Sequence, residues 1–355
     1  MPDSAHQSIL PRPAEQLLIQ KSETGAIDCN GKQVLTTTLG RAQLAHALAI
    51  NGTVTSVDCW FVDQYQTNRA RHYLGELPES LNLMCLPDPP DRTYDMALLP
   101  LGRRGETEFV RDQLQCLFNR LRIGGELWVC VDNPTDSWVG EQVKKLPCDV
   151  TVSTSESTTA YCCVKQNELK KQKSYHCEFA IRDRGRLLKV HSRPSVFSHR
   201  RIDPGARHLI NAMSVGESTK VLDLGCGSGT ISLAAAAIDP SVVVHSIDSN
   251  ARAVQCTSTG ADLNQLENVS AMLSDCGDLK MASDYDLVVA NPPYYADFRI
   301  AELFLQTAHQ MLRSGGRVMI VGKDEAWYIE QMPVWFHSVT VEPVKGYVIA
   351  QGIRL

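Results

Sequence analysis

Apolar residues in the second half of the chain form short continuous runs, and longer amphipathic stretches separate these runs. The runs that predict strands are KVLDLG (220–225), VVVHSID (242–248), VSAMLSD (269–275) and YDLVVANPPY (285–294). An alanine-rich stretch after the first run and residues 250–264 after the second are typical of helices. Strands that are apolar along their whole length are buried on both faces, so the pattern predicts a parallel sheet with helices on each side.

The first half of the chain repeats the later landmarks of the second half in the same order. The matching pairs are YDMALLPLG (94–102) with YDLVVANPP (285–293), LRIGGELWVCV (121–131) with LRSGGRVMIVG (312–322), WVGEQ (138–142) with WYIEQ (327–331), and 150–152 and 161–166 with 339–341 and 347–352. Ordered internal similarity of this kind indicates that one domain was duplicated. We therefore predict an α/β protein of two tandem Rossmann-like domains with mainly parallel sheets.

The two copies differ where a functional site would lie. The second copy has DLGCGSG and NPPY, whereas the first has TTLGRAQLA at 37–45 and LPLG at 99–102. The N-terminal copy is therefore interpreted as degenerate. The predicted organisation is an N-terminal extension (1–32), a degenerate domain (33–166), a polar and basic linker (167–176), and a catalytic domain (177–355) that begins with a hairpin at Asp183–Arg184–Gly185.

Charge is unevenly distributed along the chain. The net charge is −5, but residues 165–207 carry twelve Lys and Arg against four acids, a net +8 that leaves −13 elsewhere. A basic strip on an acidic protein can steer a polyphosphate to one place, although a solvated linker without a partner would have the same composition.

The sequence also indicates the cellular compartment of the protein. No apolar run approaches the roughly 18–20 residues that a membrane span needs, and the N-terminus lacks the pattern of a secretory signal. The twelve cysteines are irregularly spaced and no C-x-x-C pair occurs. We expect a cytoplasmic protein with mostly reduced, buried cysteines, no membrane partner and no metal site.

A glycine-rich turn in the second copy has the features of a nucleoside-cofactor site. In VLDLGCGSGT, Asp223 ends a strand and is followed by Gly225, Gly227 and Gly229 and then a helix. Glycines allow a ligand to approach the backbone closely at the carboxyl edge of a parallel sheet. Asp248, at the next strand end, is suited to accept both ribose hydroxyls, and Asp275, after the third strand, is suited to contact adenine. This order resembles the class I methyltransferases and implies S-adenosylmethionine as cofactor.

Asn291-Pro292-Pro293-Tyr294 follows the fourth strand and is the most specific chemical signal. An amine conjugated to a base or an amide nitrogen is a poor nucleophile because its lone pair is delocalised. The Asn291 side-chain oxygen and the Pro292 carbonyl can accept both amine hydrogens and aim the nitrogen at a methyl donor. Tyr294 can stack on a planar substrate. No strong general base is needed, since the proton can leave after transfer.

The segment FSHRRIDPGARHLI (197–210) resembles the corresponding element of the bacterial ribosomal RNA guanine-N2 methyltransferases RsmC and RlmG, which join a degenerate methyltransferase-like domain to an active one. The resemblance covers about residues 33–352 and implies methylation of the N2 amine of a guanine in ribosomal RNA, free or in a subunit. Tyr294 departs from the family, in which this aromatic residue is often Phe.

The resemblance also implies the site residues. Those expected to hold the cofactor are Asp223, Gly225, Cys226, Gly227, Gly229, Asp248, Asp275 and Asn291, and those expected to hold the guanine are Asn291, Pro292, Pro293 and Tyr294. Substrate-side candidates at the entrance are Phe197, Ser198, Arg200, Arg201 and Asp203. Asp203 and its neighbours could equally serve only to begin a helix.

Alternatives remain at the level of the sequence. Release-factor glutamine methyltransferases also use NPPY, and a DNA adenine-amine methyltransferase shares the same chemistry. A non-catalytic RNA-binding protein is a third possibility, which the intact motifs of the second copy disfavour. The target base would have to leave a duplex to be methylated, which favours a single-stranded or loop guanine. The degenerate domain would extend the RNA-facing surface or serve as structural support.

Overall fold

The computed structural model describes residues 9–51, 53–276, 279, 283–294 and 298–355. The chain divides into two compact units, Met1–Tyr175 and His176–Leu355. Within the described residues, no helix is both long and apolar enough to cross a bilayer.

The first unit alternates helices and strands. Its elements are α1 (Pro13–Glu23), β1 (Gln33–Thr36), α2 (Gln43–Ile50), β2 (Ser56–Phe61), α3 (Gln64–Leu74), β3 (Leu81–Cys85), β4 (Tyr94–Leu101), α4 (Thr107–Asn119), β5 (Leu121–Val131), α5 (Trp138–Val143), β6 (Cys148–Thr154) and β7 (Thr159–Lys165). Helix α1 lies in the segment that the sequence places in an N-terminal extension, and it contacts α2, β4 and β5.

The second unit begins with a hairpin and then repeats this order. Its elements are β8 (Cys177–Asp183), β9 (Arg186–Ser192), α6 (Pro204–Ala212), β10 (Lys220–Leu224), α7 (Thr230–Ala236), β11 (Val243–Asp248), α8 (Ala251–Leu263), β12 (Val269–Leu273), β13 (Tyr285–Ala290), α9 (Arg299–Met311), β14 (Leu312–Gly322), α10 (Glu325–Trp335), β15 (His337–Val344) and β16 (Tyr347–Ile353). Arg184 and Gly185, at the tip of the β8–β9 hairpin, both have positive φ, as a tight two-residue turn requires.

Both seven-stranded sheets have the same strand order. It is β3-β2-β1-β4-β5-β7-β6 in the first unit and β12-β11-β10-β13-β14-β16-β15 in the second. The first five strands of each order pair in parallel, and the last two join antiparallel. The order reverses direction at β1 and at β10, and the crevice at such a point is where open α/β sheets bind ligands.

Each sheet is buried on both faces, as its continuous apolar strands predict. In β10 and β13 the side chains of Val221, Leu287 and Val289 belong to one buried cluster, and those of Leu222 and Val288 belong to another. The alternation follows from the two-residue period of a strand. The rigid double-sided core fixes the carboxyl ends of the strands, where the candidate site lies.

Candidate active site

The predicted site residues of the second unit lie at the carboxyl ends of β10, β11 and β13. These strands are adjacent in the sheet, with β10 between the other two. The structure therefore brings the glycine-rich loop, Asp248 and Asn291 to one edge, although they are spread over almost seventy positions of sequence.

The loop between β10 and α7 is held against β11 by its backbone. The amides of Gly225 and Cys226 donate to the Ile247 carbonyl at 2.8 and 3.0 Å. A Cβ on Gly229, whose φ is +78°, would lie 2.9 Å from Thr257 Oγ1. A Cβ on Gly227, whose φ is +56°, would approach no atom of the described residues closer than 4.0 Å. The loop is thus packed from behind and open beside Gly227.

Asp248 lies beside this opening and is oriented by two backbone amides. Its Oδ2 accepts from Gly227 N at 2.9 Å and its Oδ1 from Asn250 N at 2.8 Å. A carboxylate oxygen can accept more than one hydrogen bond, so this geometry fits a ligand with two neighbouring hydroxyls. Asp275 lies two residues beyond the end of β12 and is partly exposed.

Asp223 is completely buried one residue before the end of β10. Its Oδ2 accepts a hydrogen bond from the Ser232 hydroxyl of α7. Among the described residues its Oδ1 has no hydrogen-bond donor. Burial raises the pKa of Asp223 to about 7, and the Ser232 hydrogen bond opposes the rise. Its side chain therefore links β10 to α7, the two elements that the loop joins.

Asn291, the first residue after β13, is the centre of a chain of hydrogen bonds. Its Nδ2 donates to Asp203 Oδ2 at 2.9 Å, and its Oδ1 accepts from the Tyr294 hydroxyl at 2.7 Å. An ionised carboxylate can only accept, so Asp203 forces the amide nitrogen of Asn291 toward itself. The amide oxygen then faces Tyr294 and retains a lone pair for a further donor.

Asp203 also caps α6, because its Oδ2 accepts from the backbone amide of Ala206 at 2.9 Å. Asp203 therefore both begins helix α6 and contacts the candidate site residue Asn291. A Cβ on Gly205 would overlap the Tyr294 hydroxyl oxygen. Only glycine at this position leaves room for the hydrogen-bond chain.

The remaining entrance candidates lie just before Asp203. Phe197 is exposed, and its carbonyl oxygen is the nearest atom to the open side of Gly227. Ser198 and Arg200 have positive φ, and the Ser198 hydroxyl donates to the Arg201 carbonyl at 3.0 Å. The segment is thus a compact turn beside the loop, with exposed arginine side chains at 200 and 201.

Two residues near Tyr294 were not anticipated from the sequence. Lys323 Nζ lies 4.9 Å from the Tyr294 ring centroid and 5.4 Å from that of Tyr347. The pKa of Tyr294 is raised, first by burial and then by the negative charge of Asp203. Lys323 follows β14 directly, so its place at a carboxyl strand end was a usable signal. Tyr347 is the first residue of β16, an antiparallel strand between β14 and β15, and no sequence signal marked it.

The first unit lacks these groups at the equivalent positions. By strand register, Thr36 corresponds to Asp223, Phe61 to Asp248 and Pro100 to Asn291. In the loop that follows the first strand of each sheet order, Thr38 takes the place of Gly225 and Ala42 takes the place of Gly229. None of these replacements supplies a carboxylate or amide, which agrees with the expected degeneracy.

The basic strip of residues 165–207 is not one continuous exposed surface. Lys165 and Arg193 are buried, and Lys165 Nζ donates to the Leu121 carbonyl at 2.7 Å. Lysine and arginine can place long side chains inside a domain when the charged group finds acceptors, which composition does not reveal. No cluster of three or more potential metal ligands occurs in the described part of the chain.

Comparison with known proteins finds a family model that matches most of the second unit. Residues 187–351 match the methyltransferase small domain. The chain is 30% identical over 178 residues to ribosomal RNA large subunit methyltransferase G of Aeromonas salmonicida, covering 48% of this chain and 47% of that protein. It is 31% identical over 151 residues to ribosomal RNA small subunit methyltransferase C of Pseudoalteromonas translucida, covering 41% and 44%. The matches thus span less than half the length of these curated relatives.

A solved structure is similar over both units. The T. thermophilus 16S rRNA N2 methyltransferase RsmC, in complex with AdoMet and guanosine, matches with a TM-score of 0.79 at 22% identity and covers 100% of this chain and 95% of that one. The fold of two tandem Rossmann-like methyltransferase domains is therefore confirmed. The similarity to the RsmC and RlmG methyltransferases expected from the sequence is confirmed as well.

Proposed function

We propose, from the match of residues 187–351 to the methyltransferase small domain, that the protein transfers a methyl group from S-adenosylmethionine to the N2 amine of a guanine in ribosomal RNA. The observation that carries the proposal is the Asp203–Asn291–Tyr294 hydrogen-bond chain beside the glycine-rich loop. It presents a fixed amide oxygen at the point where a cofactor site and a substrate site would meet.

On the cofactor side, the chain supplies a carboxylate and open backbone. Asp248, held by Gly227 N and Asn250 N, is placed to accept the two ribose hydroxyls. The open side of Gly227 leaves room for the body of the ligand, and Asp275 is the candidate contact for adenine. The bound cofactor supplies a methyl group activated by a sulfonium charge. The donor set therefore fits S-adenosylmethionine.

On the substrate side, Asn291 Oδ1 and the Pro292 carbonyl would accept the two hydrogens of the guanine amine. Asp203 keeps the Asn291 amide from turning over, so its oxygen is preorganised before substrate arrives. Hydrogen bonds to both amine hydrogens weaken the conjugation of the nitrogen with the ring. The lone pair then becomes available for in-line attack.

In addition to the stacking predicted from the sequence, Tyr294 would orient the Asn291 amide through its hydroxyl group. Its hydroxyl holds Asn291 Oδ1 at 2.7 Å while its ring lies beside Lys323. Because its pKa is raised, Tyr294 stays a neutral donor at physiological pH and is not a base. This supports release of the amine proton only after methyl transfer.

The relatives support the choice of substrate. Two carry names as ribosomal RNA methyltransferases of the large and small subunits, and the solved RsmC structure contains guanosine. We propose ribosomal RNA, alone or within a subunit, as the partner. The reaction would be a step of RNA processing in the cytoplasm, where bacterial ribosomes are assembled.

The test is methyl transfer from labelled S-adenosylmethionine to undermethylated ribosomal RNA, both free and in subunits, followed by nucleoside analysis. We expect N2-methylguanosine with the wild type and none with Asn291→Ala. Label in release factor or DNA, with none in RNA, would contradict the proposal. Cofactor binding without transfer to any of these acceptors would instead support a non-catalytic RNA-binding role.

A further inference from the structure

The first unit contains a small pocket at the place of its lost cofactor site. The pocket has a volume of about 220 Å³. Its lining includes Leu39, Gly40 and Arg41 from the loop between β1 and α2, with Arg12 before α1 and Arg69 of α3. This loop is the counterpart of Gly225–Gly229, since β1 and β10 hold the same position in their sheets.

The residues around this pocket are more basic than their counterparts at the candidate cofactor site of the second unit. Arg12 and Asp203 are equivalent, because each is the N-cap residue directly before a proline that opens a helix. Asp248, the acid that faces the cofactor side, is replaced by Phe61. At the positions of Arg41 and Arg69 the second unit has Ser228 and Cys256.

The equivalence of Phe61 with Asp248 follows from the strand register, and those of Arg41 with Ser228 and Arg69 with Cys256 follow from the starts of the helices. Residues Arg69 and Cys256 each lie six positions after the N-cap of their helices, α3 and α8. Each of these four changes removes an acid or adds a base, whereas Glu15 and Asp63 stand where the second unit has Ala206 and Asn250. A duplicated site that merely decayed would not be expected to gain three arginines around one cavity.

These arginines are not neutralised by their surroundings. Within the described residues, none of Arg12, Arg41 and Arg69 forms a salt bridge. Two carboxyl groups lie near. Glu15 is buried, which raises its pKa, and it accepts from the Thr38 hydroxyl at 2.6 Å. Asp132 accepts from Ala14 N at 2.6 Å, and burial likewise raises its pKa although Arg12 opposes the rise. A net positive charge therefore remains.

Two of the arginines are also preorganised by aromatic rings. The Arg41 guanidinium lies 5.1 Å from the Tyr73 ring centroid, and that of Arg69 lies 5.4 Å from the Tyr65 ring centroid. Such contacts use the face of the guanidinium and leave its N–H groups available. A planar fork of donors is the side-chain group best matched to a phosphate.

We propose that this pocket binds a phosphate of the RNA backbone through Arg12, Arg41 and Arg69. The former cofactor site of the first unit thereby acts as an RNA anchor. This inference rests on the proposed function, because it assumes that the substrate is RNA. It gives the degenerate unit a defined part in substrate binding, beyond structural support.

The test compares two variants that remove the same charge from the first unit. Arg41→Gln/Arg69→Gln changes the pocket, and Arg122→Gln/Lys144→Gln changes residues outside its lining. Binding of a fluorescent 16S or 23S ribosomal RNA transcript is measured over a salt series. We expect the pocket variant to lose roughly tenfold in affinity and to lower the slope of log K against log salt by about 1 to 2. The control variant should retain the wild-type slope.

Three measurements distinguish failure of the proposed RNA anchor from failure of the proposed methyltransferase function. Equal slopes for the two variants, with thermal unfolding unchanged, would overturn the anchor. Equilibrium dialysis with labelled S-adenosylmethionine should give one site per chain, and a second site that the pocket variant abolishes would overturn it in favour of a retained cofactor site. Wild-type RNA binding with a pocket-dependent slope but no methyl transfer would leave the anchor standing and refute the proposed function.

Discussion

Asp203 Oδ2 accepts a hydrogen bond of 2.9 Å from Asn291 Nδ2, although the two residues lie 88 positions apart in the sequence. The same carboxylate oxygen accepts from Ala206 N at the start of α6. One side chain thus ties the beginning of a helix to the amide that would meet the substrate amine. The orientation of Asn291 is set by the fold before any substrate binds.

Asp203→Asn should slow methyl transfer without weakening cofactor binding. The introduced amide can present its NH₂ group to Asn291, so the Asn291 amide is no longer forced into one orientation. We expect kcat to fall roughly 10²-fold, with an unchanged Kd for S-adenosylmethionine by calorimetry. Asparagine still caps a helix, whereas Asp203→Ala would also cost about 1 kcal/mol of stability. A wild-type kcat in Asp203→Asn would show that Asp203 only caps α6 and does not orient Asn291 for catalysis.

Asn291→Ala and Asp248→Ala should separate substrate chemistry from cofactor binding. Within the part of the chain that the structure describes, the Asn291 side chain forms hydrogen bonds with Asp203 and Tyr294 and none with the glycine-rich loop, whereas Asp248 accepts from Gly227 N. The first variant should lose turnover and bind the cofactor nearly as the wild type does. The second should bind it at least tenfold more weakly, since it loses charge-assisted hydrogen bonds. If both variants lose only cofactor affinity, the assigned division of roles is wrong.

The sequence predicted that the candidate site residues of the second unit lie together, because the signals that mark them are local. Each candidate follows a strand end, and parallel strands bring their carboxyl ends to one edge of the sheet. The Asp203–Asn291 hydrogen bond was not predictable in the same way, since Asp203 belongs to a helix that precedes the sheet strands. Lys323 was overlooked because a single lysine after a strand is usually solvated.

The duplication was visible only in part. The sequence matches begin at Tyr94, where YDMALLPLG retains the strand pattern and LRIGG follows. The structure extends the same strand order to β1, β2 and β3. Before Tyr94 the first copy needed only apolar strands and capped helices, which many sequences satisfy. Of the residues that would have marked the repeat, Gly40 remains at the position of Gly227, whereas the other two glycines and the acids are replaced.

Ala42→Gly should stabilise the first unit slightly. Ala42 has a φ of +59° and occupies the N-cap position before α2, as Gly229 does before α7. The left-handed conformation costs a non-glycine residue roughly 1–2 kcal/mol, and losing the buried methyl group costs about 0.8 kcal/mol. We expect a net gain of about 0.5 kcal/mol in the free energy of unfolding, measured in urea.

A matched substitution in the same helix provides the control. Ala47 lies within α2 with ordinary helical geometry and is partly exposed. Ala47→Gly should lower the free energy of unfolding by about 1 kcal/mol. Equal destabilisation by both substitutions would show that the turn before α2 does not carry backbone strain.

Asp223→Asn should remove part of the pH dependence of stability. Burial raises the pKa of Asp223 from 3.8 to about 7 in the folded chain. Between these values the folded state keeps a proton that the unfolded chain has released, so the free energy of unfolding falls as pH rises and levels off above about pH 7. Urea unfolding at about pH 5 and about pH 8 measures this fall. Glu15, whose pKa is also raised by burial, contributes a fall of the same sign in both proteins, so the difference between wild type and variant isolates Asp223. Asparagine carries no charge at either pH, and an identical fall in the variant would mean that Asp223 is ionised throughout this range and that Ser232 outweighs burial.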